Sequence, residues 1–175
     1  QAASIPEPVD LLVGPNGGLA VLADGKVGVW GQIGVQGISE LENVVKIAAG
    51  PGVAVMLKND GSLVAVGVGA QSIVAQVPKA RDVVFGIHPD PAAVALLPDY
   101  KVKSFGAFAA AQPALDEIDS AEQIVAGFYA FAVDVGDGDW RFFGENLDAE
   151  YCQQQAAGCS QIVIGRDFII GLRPN

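Results

Sequence analysis

The residues whose types and spacing could do chemistry form six short stretches. In DVGDGD, Asp134, Asp137 and Asp139 crowd together in a way that offers hard oxygen ligands to calcium. No bidentate glutamate follows, as an EF-hand loop requires, and Asp137-Gly138 falls where a strand-reversing turn is expected. Asp134 to Asp139 therefore reads as a turn, with an ion site as the alternative. Cys152 and Cys159, in YCQQQAAGC, have no histidine or further cysteine beside them and so make no zinc site. In an oxidising compartment they pair as a disulfide that pins a connecting loop, with two free thiols as the alternative. His88, the sole histidine, sits in GIHPDP without a partner to form an acid–base pair, and reads as a loop residue rather than a general base. GVGAQS, residues 67 to 72, approaches a dinucleotide fingerprint, but that fingerprint needs a helix behind it and the following segment looks like loop. The acidic stretches SELEN and LDEIDSAE hold paired carboxylates, among them Asp116 and Glu117, that read as a solvated face rather than a glycosidase pair. No catalytic, cofactor-binding or metal-binding set emerges, and the expectation is a protein that is not an enzyme.

Composition narrows the partners. The 175 residues are 51% hydrophobic, enough for a sizeable core. Ten basic against twenty acidic residues leave a net charge of −10, the wrong sign for a phosphate backbone, so nucleic acid is a poor partner. Charged residues, proline or glycine interrupt every apolar run before the ~18 residues of a membrane-spanning helix. Gln1 in place of Met suggests a processed chain or a fragment, and secretion is inferred on that ground. Threonine is absent, which has no evident physical reason in a strand-rich chain.

The elements that position these residues are repeats. DGKVGVWG, DGSLVAVG, DYKVKSFG and DGDWRFFG align without a gap, their aspartates Asp24, Asp60, Asp99 and Asp137 lying 36, 39 and 38 residues apart. Upstream of each runs an apolar stretch ending in glycine, then a second apolar stretch, and a fifth such start, SQIVIG with FIIGL, closes the sequence. Apolar runs of four to six residues, rich in Val and Ile and separated by Gly, Asp, Asn or Pro, predict strand–turn–strand–turn–strand in each copy. Asp-Gly between two such runs predicts a tight hairpin, the glycine supplying positive φ. Tyr100 replaces that glycine in the third copy and predicts a different turn there. The less regular residues after each closing glycine are expected to carry a short outer strand or loop.

This spacing predicts an all-β fold, a propeller-like array of about four and a half blades built from 36–41 residue repeats. The boundaries are an N-terminal segment at 1–8 and a single repeat domain at 9–175, with repeats at 9–43, 44–81, 82–122 and 123–160 and a half repeat at 161–175. The segments VVKIAAGPGVAVMLKNDGSLVAVG and LAVLADGKVGVWG carry a resemblance to the regulator of chromosome condensation repeat, a family that includes the bacterial propeller inhibiting β-lactamases. The resemblance implies a propeller and a binding or regulatory role. Two departures stand out. Gly17, Val53, Ala130 and Phe168 occupy the position where the family commonly has histidine, and the copies here fall short of the family's usual seven blades.

Within the repeats, Trp30, Phe105 and Phe143 share the slot before the closing glycine, filled by Val66 in the second copy, and are expected to pack between blades. Phe128 and Tyr129 occupy another slot, just after Gly127, where other copies have Pro15-Asn16, Pro51-Gly52 and Arg166-Asp167. Aromatics at a strand mouth are the usual anchors of protein–protein contacts, so Phe128, Tyr129, Tyr151 and Arg166 are the candidate protein-binding residues, with a cap on the core as the alternative. The half repeat would leave Phe168, Ile169, Ile170 and Leu172 as an exposed edge seeking another strand. Its cover would be a continuation, the segment QAASIPEP or another copy of the chain, joined head to tail. The expected function is a non-enzymatic protein-binding or structural module, extracellular, possessing no cofactor, partnered by another protein or by itself. A soluble regulatory binder, such as an enzyme inhibitor or an exchange-factor-like propeller, and a glycan-binding protein are the alternatives.

Overall fold

The Asp-Gly hairpins form as predicted in the computed structural model of the chain, which describes residues 8–14, 17–31, 37–50, 52–67, 70–77, 79–88, 90, 92–145 and 148–174. Residues 1–7 of the N-terminal segment 1–8, Pro15-Asn16 and Pro51 lie outside the described residues, while Pro8 belongs to the first strand. Two compact units, Gln1–Ala80 and Arg81–Asn175, divide the chain within a residue of the boundary between the second and third repeats.

In the first unit, β1 (Pro8–Gly14), β2 (Gly17–Leu22) and β3 (Val27–Gly31) form one antiparallel sheet, and β4 (Val44–Gly50), β5 (Val53–Lys58) and β6 (Leu63–Gly67) form a second. Runs of Val, Leu, Ile and Ala make these strands because both faces of the middle strand are covered. Val53 to Leu57 is buried without a break, so no polar–apolar alternation is needed there. Leu19, Val21, Val44, Ile47 and Met56 close one cluster, each such side chain contributing about 1.5–3 kcal/mol when fully buried. Asp10 joins the two sheets by accepting a hydrogen bond from the Ile47 N–H at 2.9 Å.

The second unit holds three sheets. β7 (Asp82–Phe85), β8 (Ala92–Leu96) and β9 (Val102–Gly106) make the first, and β10 (Gln123–Ala126), β11 (Ala130–Asp134) and β12 (Trp140–Gly144) the second. The third has two strands, β13 (Gln161–Ile164) and β14 (Ile169–Leu172). Each pairs antiparallel with its sequence neighbour, so the predicted strand order is met in every copy. Phe131 anchors the core between Phe108 and Phe143, with ring centroids 4.9 and 5.1 Å away. Trp140 is fully buried and donates its indole N–H to the Cys159 carbonyl at 2.8 Å. The expected aromatic slot is only partly core: Phe105 is buried, whereas Trp30 and Phe143 are half-buried.

Turn chemistry follows the repeat with one reassignment. In the first three copies the residue before the turn both donates to the fourth residue on and accepts from the third, as in Leu22 with Lys26 and Gly25. Asp24, Asp60 and Asp99 each cap that loop by accepting a backbone N–H two residues later. Tyr100 takes φ of 66°, close to the 78° and 81° of Gly25 and Gly61, so the third turn is not a different one. Backbone register outweighs the side chain's preference, and the Tyr100 ring is stacked under the Arg81 guanidinium at 4.2 Å. The odd turn is the fourth. There Asp137 and Gly138 both have positive φ and Asp139 donates to the Gly136 carbonyl, the two-residue type I′ geometry.

The segments between sheets correct the expectation of outer strands or loops. They carry α1 (Ala70–Gln76), a 3-10 turn (Ala109–Ala111) running into α2 (Gln112–Leu115), and α3 (Ala149–Ala156). A helix therefore does begin within GVGAQS, at Ala70, with Val68-Gly69 outside the described residues; the strand before it is antiparallel, not part of a βαβ unit. α3 begins where Asp148 accepts the Tyr151 N–H at 2.9 Å, continues through good helix formers, and ends before Gly158 at φ 73°. The connectors also shield strand edges. Gln112 accepts from the Ser104 N–H and donates to the Val102 carbonyl, mimicking a further strand beside β9, and Gln71 donates to the Ala65 carbonyl of β6.

Candidate functional site

The corner between β10 and β11 is built from constraints that leave little freedom. Gly127 lies so close to Ile164 that any Cβ there would strike its backbone, so the turn out of β10 fits against the end of β13 only as glycine. Phe128 then bridges to Ile87, and the neighbouring hydrogen bonds run from Ile87 N–H to the Gly127 carbonyl and from Tyr129 N–H to the Ile87 carbonyl. Tyr129 is held at φ 54°, its carbonyl accepting from the Glu145 N–H at 3.1 Å. A left-handed tyrosine costs roughly 1–2 kcal/mol, and such residues collect at functional sites. Opposing bonds on both sides fix this one.

Around that corner opens a cleft of about 710 Å³ within the second unit. Phe128 and Tyr129 form one wall, Tyr151 on the first turn of α3 another, and Arg166 and Phe168 of the β13–β14 turn a third. The four candidate protein-binding residues, separated by up to 38 positions, thus line a single concavity together with Phe168 and Ile169 of the expected edge. Tyr151 and Phe168 are more than half exposed, so most of their ring area faces solvent. Sequence reasoning missed the carboxylates at the rim: Glu145, Asp148 and Asp167. Asp148 was legible as the helix-capping residue of D-A-E-Y, whereas Glu145 and Asp167 carry no sequence signal of their own.

On the other side of Tyr129 lies a second hollow of about 370 Å³, reached by His88, Phe108 and Phe143. His88 meets the Tyr129 ring edge-on at 5.1 Å, and its Nδ1 accepts from the Asp90 N–H, so the lone histidine supports the corner. Pro89 and Pro91 beside it lie outside the described residues.

The remaining candidates do not join this site as expected. Cys152 and Cys159 are not bridged; both are buried free thiols in the cluster formed by Ala156, Ile162 and Ile164. Cys152 faces the cleft, whereas the Cys159 sulfur lies against Gly171 of β14, and each behaves as a small core hydrophobe. Burial, then the Asp148 charge, pushes the Cys152 thiol pKa up. In the aspartate stretch, Asp134 is buried and accepts from Gly136 N–H, while Asp139 faces Arg141 at 4.0 Å; among the described residues no three His, Cys, Asp or Glu gather as for a metal. Asp116, Glu117 and Asp119 are exposed, Asp116 held by Gln112 and Asp119 by Lys101. Ile170 and Leu172 project into solvent, and among the described strands β14 pairs with β13 alone.

No protein-family model and no curated protein sequence matches the chain. Solved structures do. Human WBSCR16 superposes with a TM-score of 0.71 at 16% identity, over 100% of this chain and 60% of that one. The CRINKLY WD40 ectodomain of the Arabidopsis thaliana receptor kinase ACR4 gives 0.60 at 21%, over 78% and 49%. Prp20p of Saccharomyces cerevisiae, the yeast RCC1, gives 0.58 at 18%, over 79% and 43%. The fold is therefore an RCC1-like, propeller-type β repeat, as the sequence motifs predict. The chain spans about half the length of the structures it resembles.

Proposed function

We propose that the chain is a non-enzymatic protein-binding module whose contact site is the cleft around Tyr129. One observation carries this reading: Phe128, Tyr129, Tyr151, Arg166 and Phe168, drawn from three elements, converge on one concavity, with Tyr151, Arg166 and Phe168 exposed and Phe128 and Tyr129 half-buried. Aromatic and arginine side chains at the centre of a concave patch are the groups that dominate protein–protein binding energies. The fold analogy points the same way, since Prp20p has described binding to Gsp1p and histones and is seen bound to Kap60. The test compares proteins enriched on the immobilised wild-type chain with those enriched on a Tyr151→Ala/Phe168→Ala variant, followed by titration of each purified candidate. A partner whose affinity falls at least about tenfold in the variant supports the reading. Equal enrichment and equal affinity on both chains would remove the cleft from consideration.

A second reading, self-assembly, is favoured by the open edge of β14. Alternate backbone N–H and C=O groups along it face away from β13, beside the exposed side chains of Ile170 and Leu172. A strand from another copy would satisfy them by edge addition. Light scattering across a concentration series tests it. Wild type should associate and Ile170→Lys/Leu172→Lys should stay monomeric with unchanged circular dichroism; a wild-type monomer at all concentrations overturns it.

A further inference from the structure

We infer that the Tyr129 cleft takes a basic peptide segment, with a lysine or arginine side chain as its anchor. The inference rests on the cleft being a protein-binding site and names the chemistry of its partner.

Three features of the lining argue for a cation. First, aromatic rings line the cavity: Phe128 and Tyr129 form a tilted pair with centroids 6.3 Å apart at 46°, and Tyr151, more than half exposed, lines it from α3. Ring faces left open to a cavity attract ammonium and guanidinium groups through their quadrupoles. Second, three carboxylates against a single guanidinium give the rim a net negative charge. Among the described residues the side chains of Glu145 and Asp167 have no hydrogen-bonding or ionic partner, and Asp148 uses one oxygen to cap α3. A purely apolar ligand would bury these charges unpaired, at a cost that a cationic one avoids. Third, the whole chain carries a charge of −10, so its long-range field draws in the same class of ligand.

The size of the site says how much of such a ligand it holds. A cleft of about 710 Å³ exceeds one arginine side chain and suits a short stretch of peptide. The corner is also rigid in advance: Tyr129, fixed by hydrogen bonds on both sides, loses little freedom when a ligand stacks on it.

Fluorescence anisotropy with four labelled octapeptides tests this, glycine alternating in each with arginine, lysine, glutamate or leucine. At about 150 mM salt, where the Debye length is about 8 Å, the arginine and lysine peptides should bind at least about tenfold tighter than the other two. Glu145→Gln/Asp167→Asn should weaken them about tenfold. Glu40→Gln/Glu42→Gln, which removes the same charge from exposed positions of the first unit, should change binding less than about twofold. Tyr151→Ala should weaken binding about fivefold and Tyr151→Phe should restore it, as stacking on an open ring requires. Equal weakening by the two charge-removing pairs would mean that overall charge, not the cleft, does the binding, and overturns the inference. Preference for the leucine or glutamate peptide with loss on Tyr151→Ala overturns the basic partner while leaving the protein-binding site standing. Failure of all four peptides to bind also overturns it, and the enrichment experiment above then decides separately on the site.

Discussion

Strands β11 and β14 hold the same place in the repeat, and their environments are opposite. Each follows a tight corner and pairs antiparallel with the strand before it. β11 is buried along its whole length; β14 is exposed along nearly all of it. What separates them is not the apolar character of their residues, AFAVD against IIGL, but their neighbours: β12 pairs with the second edge of β11 and clusters pack on both its faces, whereas no described strand pairs with the far edge of β14 and its side chains are largely exposed. Burial in this fold is thus conferred by the neighbours that a repeat recruits. An apolar strand is core in one copy and solvent-exposed in the next.

The comparison breaks most sharply at its two centres. Phe131→Ala removes a fully buried ring packed between Phe108 and Phe143 and should cost about 3–5 kcal/mol in urea denaturation. Ile170→Ser should stay within about 0.5 kcal/mol of wild type, because that side chain already faces solvent. Similar losses at both would mean that β14 is covered in solution.

The cysteines sharpen the contrast in time. The Cys159 sulfur is shielded by Gly171, so it becomes accessible whenever β14 opens, while Cys152 is held by α3. Cys152 is further protected because its raised pKa lowers the thiolate fraction at any pH below that value, and thiolate is the reacting species. In native protein at mildly alkaline pH, alkylation read by peptide mass should modify Cys159 about tenfold faster than Cys152, consistent with local rather than global opening. Denaturation without reductant should release two reactive thiols; none would restore the disulfide expected from their spacing.

Turns give the next, smaller effect and also show what a sequence can disclose. The repeat, its strand order and the Asp-Gly hairpins were legible because each uses a local rule: alternating runs, a positive-φ glycine, an aspartate that caps two residues on. Tyr100 was misread because propensity was weighed without register, and neighbouring ladders impose the left-handed conformation whatever the side chain. The helices were missed because they run four to eight residues, too short for a periodic signal, with only Cys152 and Ala156 buried in α3. Of the cleft, the aromatics stood out by their slot in the repeat, whereas Glu145 and Asp167 are ordinary surface residues until folding brings them to one rim. Relieving the strain tests the reassigned turn. Tyr100→Gly should stabilise by up to about 1 kcal/mol, less about 0.5 for the lost Arg81 stack, whereas Gly61→Ala at the matching position should destabilise by about 1 kcal/mol.

The smallest effect separates turns that look alike. Asp60 accepts from both the hydroxyl, at 2.6 Å, and the N–H, at 2.9 Å, of Ser62; at the equivalent position Asp24 and Asp99 accept only the backbone N–H of a lysine, with Asp24 also facing the Lys26 ammonium at 3.6 Å. The Ser62 hydroxyl, then its N–H, lowers the Asp60 pKa below the ordinary 3.8. A carboxylate whose pKa is depressed by folding stabilises the native state above its unfolded pKa, and that contribution fades as pH falls through the folded value. Carboxyl-detected NMR titration should therefore place the Asp60 midpoint below 3.8, and Ser62→Ala should move it upward. Because Asp60 is exposed, the Asp60–Ser62 coupling read from wild type, the Asp60→Asn and Ser62→Ala single variants and their pair should be small, present at neutral pH and lost as pH falls through the folded value. Loss of the pKa difference without Ser62 would assign it to the hydroxyl; its persistence would assign it to the turn backbone that all three copies share.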